Sequence, residues 1–198
     1  MARWLASFAL AVGLLVALAV RSGDYESGTA AFNAGDFATA LEAWRPLAEA
    51  GDPRAQNEVG VMYGLGYGVA RDDRLAAAWF RRAALQGYAR SQNNLGRLYR
   101  LGLGVERDPE TGARWIKRAA RAGYVRAQAT LGALYARGEG VPRDLLRAYF
   151  WWSVAAREGH GESTVAREDA AGMMTPHQIR IGNLLSEEWR REPETLGP

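Results

Sequence analysis

The stretch SQNNLGRLYRLGLGV, residues 91–105, decides the fold because it recurs on both sides at a shift of 36 residues. Toward the N-terminus it becomes AQNEVGVMYGLGYGV, residues 55–69, and toward the C-terminus AQATLGALYARGEGV, residues 127–141. Each copy continues with an Asp, a Trp, an Ala-Ala pair and a Gly at matching intervals. Self-similarity with a period of about 20–50 residues is the signature of stacked repeat architectures. The sequence therefore predicts one structural unit repeated three times.

The first half of each copy is predicted to be a helix. In the first copy, Val59, Met62 and Tyr63 form an apolar stripe at helical spacing. A glycine recurs inside this helix, where it costs about 1 kcal/mol relative to alanine. That cost is tolerable if a second helix crosses there and leaves no room for a Cβ atom. The recurring glycines are Gly60, Gly96 and Gly132.

The second half of each copy is predicted to be another helix. A Gly-x-Gly pair ends the first helix and supplies backbone with positive φ for the turn. An Asp then recurs where the N-cap of the second helix belongs: Asp72, Asp108 and Asp144. Two helices of this kind cannot bury their own apolar stripes, so neighbouring copies must stack on each other.

The two ends of the array depart from the repeat, as terminal units of stacked repeats do. The front unit has a tight turn at Gly35 and Asp36 in place of the long glycine-rich loop. At the back, Thr175 to Gln178 form a capping box that opens an amphipathic helix. The predicted divisions are a shortened copy at 24–52, full copies at 53–88, 89–124 and 125–160, and a helical cap and tail at 161–198.

Residues 1–21 are predicted to be a separate targeting segment. Arg3 precedes an uncharged apolar run from Trp4 to Val20, and the small-residue sequence Ala17-Leu18-Ala19 fits a signal-peptide cleavage site. The run of 17 residues also approaches the length of a membrane span, so a retained N-terminal anchor is the alternative. A buried helix of the domain is disfavoured because the run is apolar on every face. Both main interpretations place the remainder outside the cytoplasm, in the periplasm or on the periplasmic side of the inner membrane.

The composition excludes several classes of function. The 198 residues contain no Cys, which rules out disulfides, thiolate metal sites and cysteine nucleophiles. Two His leave little for a zinc site, and a net charge of +3 does not indicate a nucleic-acid-binding protein. No carboxylate pair or Ser-His arrangement stands at a catalytic spacing. We therefore predict no catalytic residues, no metal and no cofactor.

The repeated pattern A-Q-x-x-L-G-x-x-Y…G-x-G-V…D…A-x-x-W-x-x-x-A-A-x-x-G resembles the Sel-1-like repeat family, which is related to the tetratricopeptide repeat. The resemblance covers about residues 24–162. It implies an all-α, right-handed α-solenoid of antiparallel helix pairs whose first helices line a concave face. It also implies a non-catalytic scaffold that holds proteins together, often in the bacterial envelope. β-Lactam binding is ascribed to a cysteine-stapled branch, and nothing of that branch carries over to a chain without Cys.

Polar residues recur on the first helices, where this family would present its groove. An Arg stands at the start of each copy and an Asn follows one turn later in two of them. We predict a basic groove for an acidic segment or C-terminal carboxylate of a protein partner, since Arg binds carboxylates bidentately. The competing interpretation is that these arginines are solvated or pair with acids such as Asp52 and Glu58. The predicted partner-binding residues are Arg54, Asn57, Arg90, Asn93, Arg97, Arg100, Arg126 and Arg137.

Three further recurring features are predicted to be structural. The glutamines at 56, 92 and 128 are expected to bridge adjacent copies, because buried amides need partners. The Trp series 79, 115 and 151 and the Tyr series 63, 99 and 135 are expected to be core rather than a stacking platform. The consecutive aromatics 149–152 cover every face of a helix, so part of them contacts the C-terminal cap or forms an exposed patch.

The sequence thus predicts a protein or peptide binder of the bacterial envelope. One alternative is a cell-wall enzyme or ligand binder, which would need an acid or base of perturbed pKa on the groove wall. Another is a structural subunit of a membrane-associated complex, which a retained anchor and an exposed aromatic patch would favour.

Overall fold

The computed structural model describes residues 25–191, and every regular element within that range is a helix. The all-α fold class is confirmed. The predicted targeting segment at 1–21 and the last seven residues lie outside the described range. The helices are α1 (25–33), α2 (Phe37–Glu49), α3 (Pro53–Leu65), α4 (Asp73–Leu85), α5 (Ala89–Leu101), α6 (Pro109–Arg121), α7 (Val125–Arg137), α8 (Leu145–Arg157), α9 (Gly161–Ala171) and α10 (Pro176–Arg191).

The predicted starts and ends of the repeat helices are confirmed. The first helices α3, α5 and α7 end at glycines in the left-handed conformation, with φ of 74°, 71° and 70° at Gly66, Gly102 and Gly138. Each second helix begins at the predicted Asp. The Asp108 carboxylate, for example, accepts a hydrogen bond of 2.9 Å from the Thr111 N–H, and Asp144 accepts one of the same length from the Arg147 N–H. These bonds satisfy N–H groups that a helix start leaves without partners.

The glycines inside the first helices mark the predicted close crossings. A Cβ atom placed on Gly96 would lie 2.6 Å from Ile116 Cγ1 and 2.7 Å from the carbonyl oxygen of Gly112. At Gly132 it would lie 2.7 Å from the Trp152 ring. These distances are shorter than any normal carbon contact, so only glycine allows the two helices to approach this closely.

The chain divides into two compact units, Met1–Ala83 and Ala84–Pro198. In the first, Trp44, Leu47 and Met62 belong to a buried cluster supplied by α2 and α3. In the second, the buried cluster runs from α6 through α7 and α8 to α10, with Ile116 and Trp151 fully enclosed. Each unit therefore has its own hydrophobic core, and the second contains the last two full copies and the cap.

The recurring glutamines have the predicted structural role. The side-chain amide of each donates to the carbonyl oxygen eight residues earlier, at the end of the preceding second helix. The bonds are Gln56 to Ala48 at 3.0 Å, Gln92 to Ala84 at 3.1 Å and Gln128 to Ala120 at 3.2 Å. Each amide is buried and ties the start of one copy to the end of the helix before it.

The C-terminal helix α10 covers the aromatic residues of α8. Trp189 packs edge-on against Phe150 and Trp151, with ring centroids 6.1 and 5.3 Å apart. The Tyr149 hydroxyl donates to the Asn183 side-chain oxygen at 2.8 Å. The predicted contact with the cap is therefore confirmed, and of the four aromatics only Trp152 is partly exposed, since Tyr149, Phe150 and Trp151 are buried.

The other aromatic series are only partly core. Trp151 and Tyr135 are buried, whereas Trp79, Trp115, Tyr63 and Tyr99 are half-buried. Arginine guanidinium groups cover the exposed faces of two of these rings, with Arg82 4.6 Å from the Trp79 ring centroid and Arg118 4.7 Å from that of Trp115. Within residues 25–191, no helix has both the length and the apolar character required to cross a bilayer.

Candidate functional site

A groove of about 700 Å³ crosses the second unit and contains four of the predicted partner-binding residues. Its walls come from α5 and α7, the first helices of the last two copies, and from α9, the helix that follows the third copy, with one side chain from α8. We call it the α7 groove. It is lined by Asn93, Arg100, Arg126, Ala129, Thr130, Ala133, Arg137, Trp152, His160, Glu162, Ser163 and Ala166.

Helix α7 supplies the floor of the α7 groove as one helical stripe. Arg126 and Arg137 are separated by 11 residues, which is about three helical turns and about 16 Å along the axis. The small side chains of Ala129 and Ala133 lie between the two arginines, and the half-buried Trp152 borders the floor. The Trp152 indole N–H donates to the Ala129 carbonyl at 3.2 Å, which fixes the ring at the edge of the groove. The floor thus has an apolar centre and an arginine at each end.

Arg100 is held by an acid of the next copy. Its guanidinium binds Glu139 through two bonds, Nε to Oε1 at 2.9 Å and Nη2 to Oε2 at 3.0 Å. The Arg100 side chain is 14% exposed and that of Glu139 27%, so the pair is partly shielded from water. These bonds hold the pKa of the Glu139 carboxyl below its ordinary value of 4.5. Arg100 is therefore oriented and largely neutralised before any partner binds.

Arg126 and Arg137 remain available to a ligand. The Arg137 side chain is 61% exposed, and its Nε lies 3.8 Å from the same Glu139. Arg126 is exposed at the start of α7, and no carboxylate within residues 25–191 forms an ion pair with it. The lining contains three arginines and one glutamate, Glu162, so the walls are net positive.

Asn93 contributes an unsatisfied acceptor to the wall. Its side-chain oxygen Oδ1 is buried and has no hydrogen-bond partner among the described residues. A buried acceptor without a donor costs about 1–3 kcal/mol relative to a satisfied one. Because Oδ1 is enclosed, a ligand N–H group reaches it only after the half-buried Asn93 side chain rotates toward the groove.

The other four predicted residues lie outside the lining of the α7 groove. Arg54 pairs with Asp52 at 3.1 Å and covers the Tyr25 ring at 4.4 Å, so the competing interpretation holds for it. Asn57 is 0% exposed and donates to Glu58 at 3.2 Å, and its prediction as a contact residue is wrong because no partner can reach it. Arg90 and Arg97 are exposed on α5 but do not line the groove.

Sequence reasoning missed the far wall of the groove, which α9 supplies. The His160 ring nitrogen Nδ1 caps this helix by accepting from the Ser163 N–H at 3.3 Å, and it lies 3.0 Å from Ser163 Oγ. Ser163 is fully buried. The place of His160 on the groove was not predicted, because α9 no longer carries the repeat pattern. Within the described residues, no cluster of three His, Cys, Asp or Glu side chains could hold a metal ion.

The fold and the groove define a helical-repeat protein that presents a surface of successive first helices. A family model for the Sel1 repeat matches residues 53–88, 89–124 and 125–160. The chain belongs to the Sel1 repeat family, whose members are typically protein–protein interaction scaffolds.

Two solved structures resemble the chain. The first is c5321, a protective antigen of uropathogenic Escherichia coli strains displaying an SLR fold, at 32% identity and a TM-score of 0.73, covering 81% of this chain and 34% of that one. The second is a Sel1 repeat protein from Oxalobacter formigenes, at 27% identity and a TM-score of 0.68, covering 72% of this chain and 59% of that one. The chain thus spans about a third of the first relative and three fifths of the second. A search of curated proteins gave no match.

Proposed function

We propose that this chain is an interaction scaffold whose α7 groove binds an extended acidic peptide segment of a protein partner. The observation that carries the proposal is the pair of exposed arginines at the two ends of the α7 stripe, of which Arg126 has no carboxylate partner among the described residues. An acidic peptide offers the missing partner, since its carboxylate pairs with the guanidinium through charge-assisted hydrogen bonds.

The length of the groove defines the ligand further. The distance of about 16 Å between the two ends of the α7 stripe matches about five residues of extended chain. A segment with carboxylates at both ends of such a stretch can reach Arg126 and Arg137 together. The apolar centre at Ala129 and Ala133 then accommodates a small or aromatic side chain beside Trp152.

The proposal is tested with fluorescein-labelled peptides of eight residues that carry Glu at positions 2 and 7, about 16 Å apart in extended chain, compared with the same peptides carrying Gln. Fluorescence anisotropy measures the Kd for the wild type, for Arg126→Gln and for Arg97→Gln. The last variant is a matched control, because it removes the same charge from an exposed site outside the groove. A charge-assisted hydrogen bond contributes about 1.5–3 kcal/mol, so we expect Arg126→Gln to weaken binding at least tenfold.

We expect the control variant to change Kd less than twofold and the Gln peptide to bind more weakly than the Glu peptide. Equal weakening by both variants would show that only general positive charge attracts the peptide. Equal affinity for Glu and Gln peptides would remove the carboxylate from the proposal. Amidation of the peptide C-terminus separates recognition of a terminal carboxylate from recognition of side chains.

The cell-wall enzyme alternative receives less support from the groove. It requires an acid that could donate a proton near neutral pH, which means a raised pKa. Glu139, the acid bound to Arg100, has a lowered pKa instead and stays ionised. Its geometry suits holding an arginine in place.

We also infer that the chain acts outside the cytoplasm, in the periplasm or at the periplasmic face of the inner membrane. The support is the basic start, the apolar run at 4–20 and the small residues near its end. N-terminal sequencing of the protein purified from cells tests this. A start near Val20 means a cleaved signal peptide, an intact start in the membrane fraction means an anchor, and an intact start in the cytosol contradicts export.

A further inference from the structure

A second cavity, separate from the α7 groove, surrounds the only lysine of the chain. It has a volume of about 560 Å³, within the usual range of small-ligand pockets. One wall is α6, which contributes Arg114 and Lys117, and the opposite wall is the loop after α7. We call it the Lys117 cavity. None of its lining residues lines the α7 groove.

The charges around Lys117 are of the same sign. It is half-buried, and burial lowers its pKa first, with Arg121 and Arg147 adding repulsion. Within the described range, no carboxylate forms an ion pair with Lys117 or with Arg114. The Arg114 guanidinium instead donates to the Thr111 hydroxyl at 2.6 Å.

The acids of neighbouring helices are already engaged. Asp144 caps α8 and pairs with Arg147 at 3.4 Å, and that guanidinium lies 5.5 Å from the Tyr135 ring centroid. Asp108 caps α6 by accepting from Thr111. Glu110 is exposed at the rim of the cavity. The cavity lining thus carries two cations and one acid, Glu110, and of the two cations only Arg114 is close enough to the capping Asp108 to interact with its charge.

The remaining lining selects for a small ligand rather than for a bare ion. Val141 and the buried Tyr135 give the wall opposite the cations an apolar surface, and Ala113 adds a methyl group on α6 itself. A free phosphate ion would fill only a fraction of the 560 Å³. An ester with a compact organic group uses both sides, because its oxyanion meets the cations and its organic part meets the apolar wall.

We propose that the Lys117 cavity binds a small ligand through a phosphate group, with Lys117 and Arg114 as its charge partners. Lysine supplies a mobile point charge and arginine a planar pair of donors, a combination that suits a multiply charged oxyanion. The proposal is independent of peptide binding in the α7 groove, so either site can fail its test without the other.

The single lysine makes the test direct. Selective ¹³C labelling of lysine gives one side-chain Cε signal in the NMR spectrum of the full chain, and that signal reports on Lys117 alone. Phenyl phosphate and inorganic phosphate are titrated separately at constant ionic strength, with sodium chloride as the reference. We expect a saturable shift of the signal and a rise in the pKa of Lys117, since a bound anion favours the charged amine.

Two variants distinguish binding in the Lys117 cavity from non-specific attraction by positive charge. We expect Arg114→Gln to weaken binding about tenfold, whereas Arg118→Gln changes it less than twofold. Arg118 lies on the same helix but covers Trp115 and does not line the cavity. Tighter binding of phenyl phosphate supports an ester ligand, and equal binding supports free phosphate.

Three results would overturn the proposal. One is a Lys117 signal that responds to neither phosphate beyond the chloride reference. Another is an equal loss of binding in Arg114→Gln and Arg118→Gln, which would indicate non-specific attraction. The third is a signal that responds to a polyglutamate peptide but to neither phosphate, which would make the cavity a peptide site.

Discussion

Replacing Gly96 by alanine tests whether the close helix crossing explains the recurring glycine. Alanine stabilises a helix interior by about 1 kcal/mol relative to glycine, so propensity alone predicts a gain. The new Cβ, however, would lie 2.7 Å from the Gly112 carbonyl oxygen, whereas ordinary contacts begin at 3.4 Å. That oxygen belongs to the backbone of α6 and cannot rotate away. The two helices must therefore separate by about 0.7 Å, enough to forfeit a quarter to a half of the dispersion energy at their contact.

The expected net effect of Gly96→Ala is a loss of about 1–2 kcal/mol. Overpacking of this kind costs about 1–3 kcal/mol, and the propensity gain offsets part of it. For a chain of this size, 1 kcal/mol corresponds to about 2–4 °C in Tm, so we expect a decrease of about 2–8 °C. Circular dichroism at 222 nm during thermal and urea unfolding measures it.

Gly64→Ala is the matched control for this substitution. Gly64 is also inside a first helix, but a Cβ there would have only the Ala76 Cβ nearby, at an ordinary 3.5 Å. We expect this variant to be as stable as the wild type or to gain up to about 1 kcal/mol. If Gly96→Ala matched or exceeded the stability of Gly64→Ala, the steric explanation of the recurring glycine would be refuted.

Three further substitutions test other contacts. Glu139→Gln removes the charged partner of Arg100 and should cost about 1–2 kcal/mol at pH 7. Because the folded-state pKa of Glu139 is lowered, this stabilisation is present above the ordinary value of 4.5 and is lost as the pH falls through the folded value. The difference in Tm between wild type and variant should therefore close in acid, and a difference that does not change with pH would contradict this. Asp144→Ala removes the cap that accepts from the Arg147 N–H and should cost about 1 kcal/mol in urea unfolding, while Asp144→Asn, which keeps an acceptor, should recover most of it. Trp189→Ala empties a site that is 5% exposed and should cost about 3–5 kcal/mol, and a loss below 1 kcal/mol would mean that α10 does not stabilise the last copy.

The elements of the fold could be predicted because each depends on local chemistry that the repeat shows three times. Positive φ at Gly66, Gly102 and Gly138 requires glycine, and an N-cap requires a residue with a short acceptor side chain, such as Asp. Both features can therefore be recognised from the local sequence alone. The glutamine bonds were also predictable, since a buried amide at a fixed position needs a fixed partner.

The candidate site could be predicted only in part because equivalent positions acquire different neighbours. Asp52 is the N-cap of the helix that carries Arg54, and its carboxylate pairs with that arginine. The N-cap of the helix that carries Arg126 is Tyr124, which has no carboxylate. A sequence comparison within the array treats the two arginines as equal. The pairing of Arg100 with Glu139 spans 39 residues and joins positions that do not correspond in the repeat, so no periodic signal could show it.

The bond from Gln128 to Ala120 crosses the boundary at which the sequence repeat is conventionally divided, between residues 124 and 125. A cassette cut at that boundary leaves the donor in one fragment and the acceptor in the other. A cassette cut in the glycine-rich loops, for example residues 104–139, keeps donor and acceptor together and still contains 36 residues. Chimeras that exchange copies between members of this family should therefore fold more often when their junctions lie in those loops than when they follow the edges of the sequence motif.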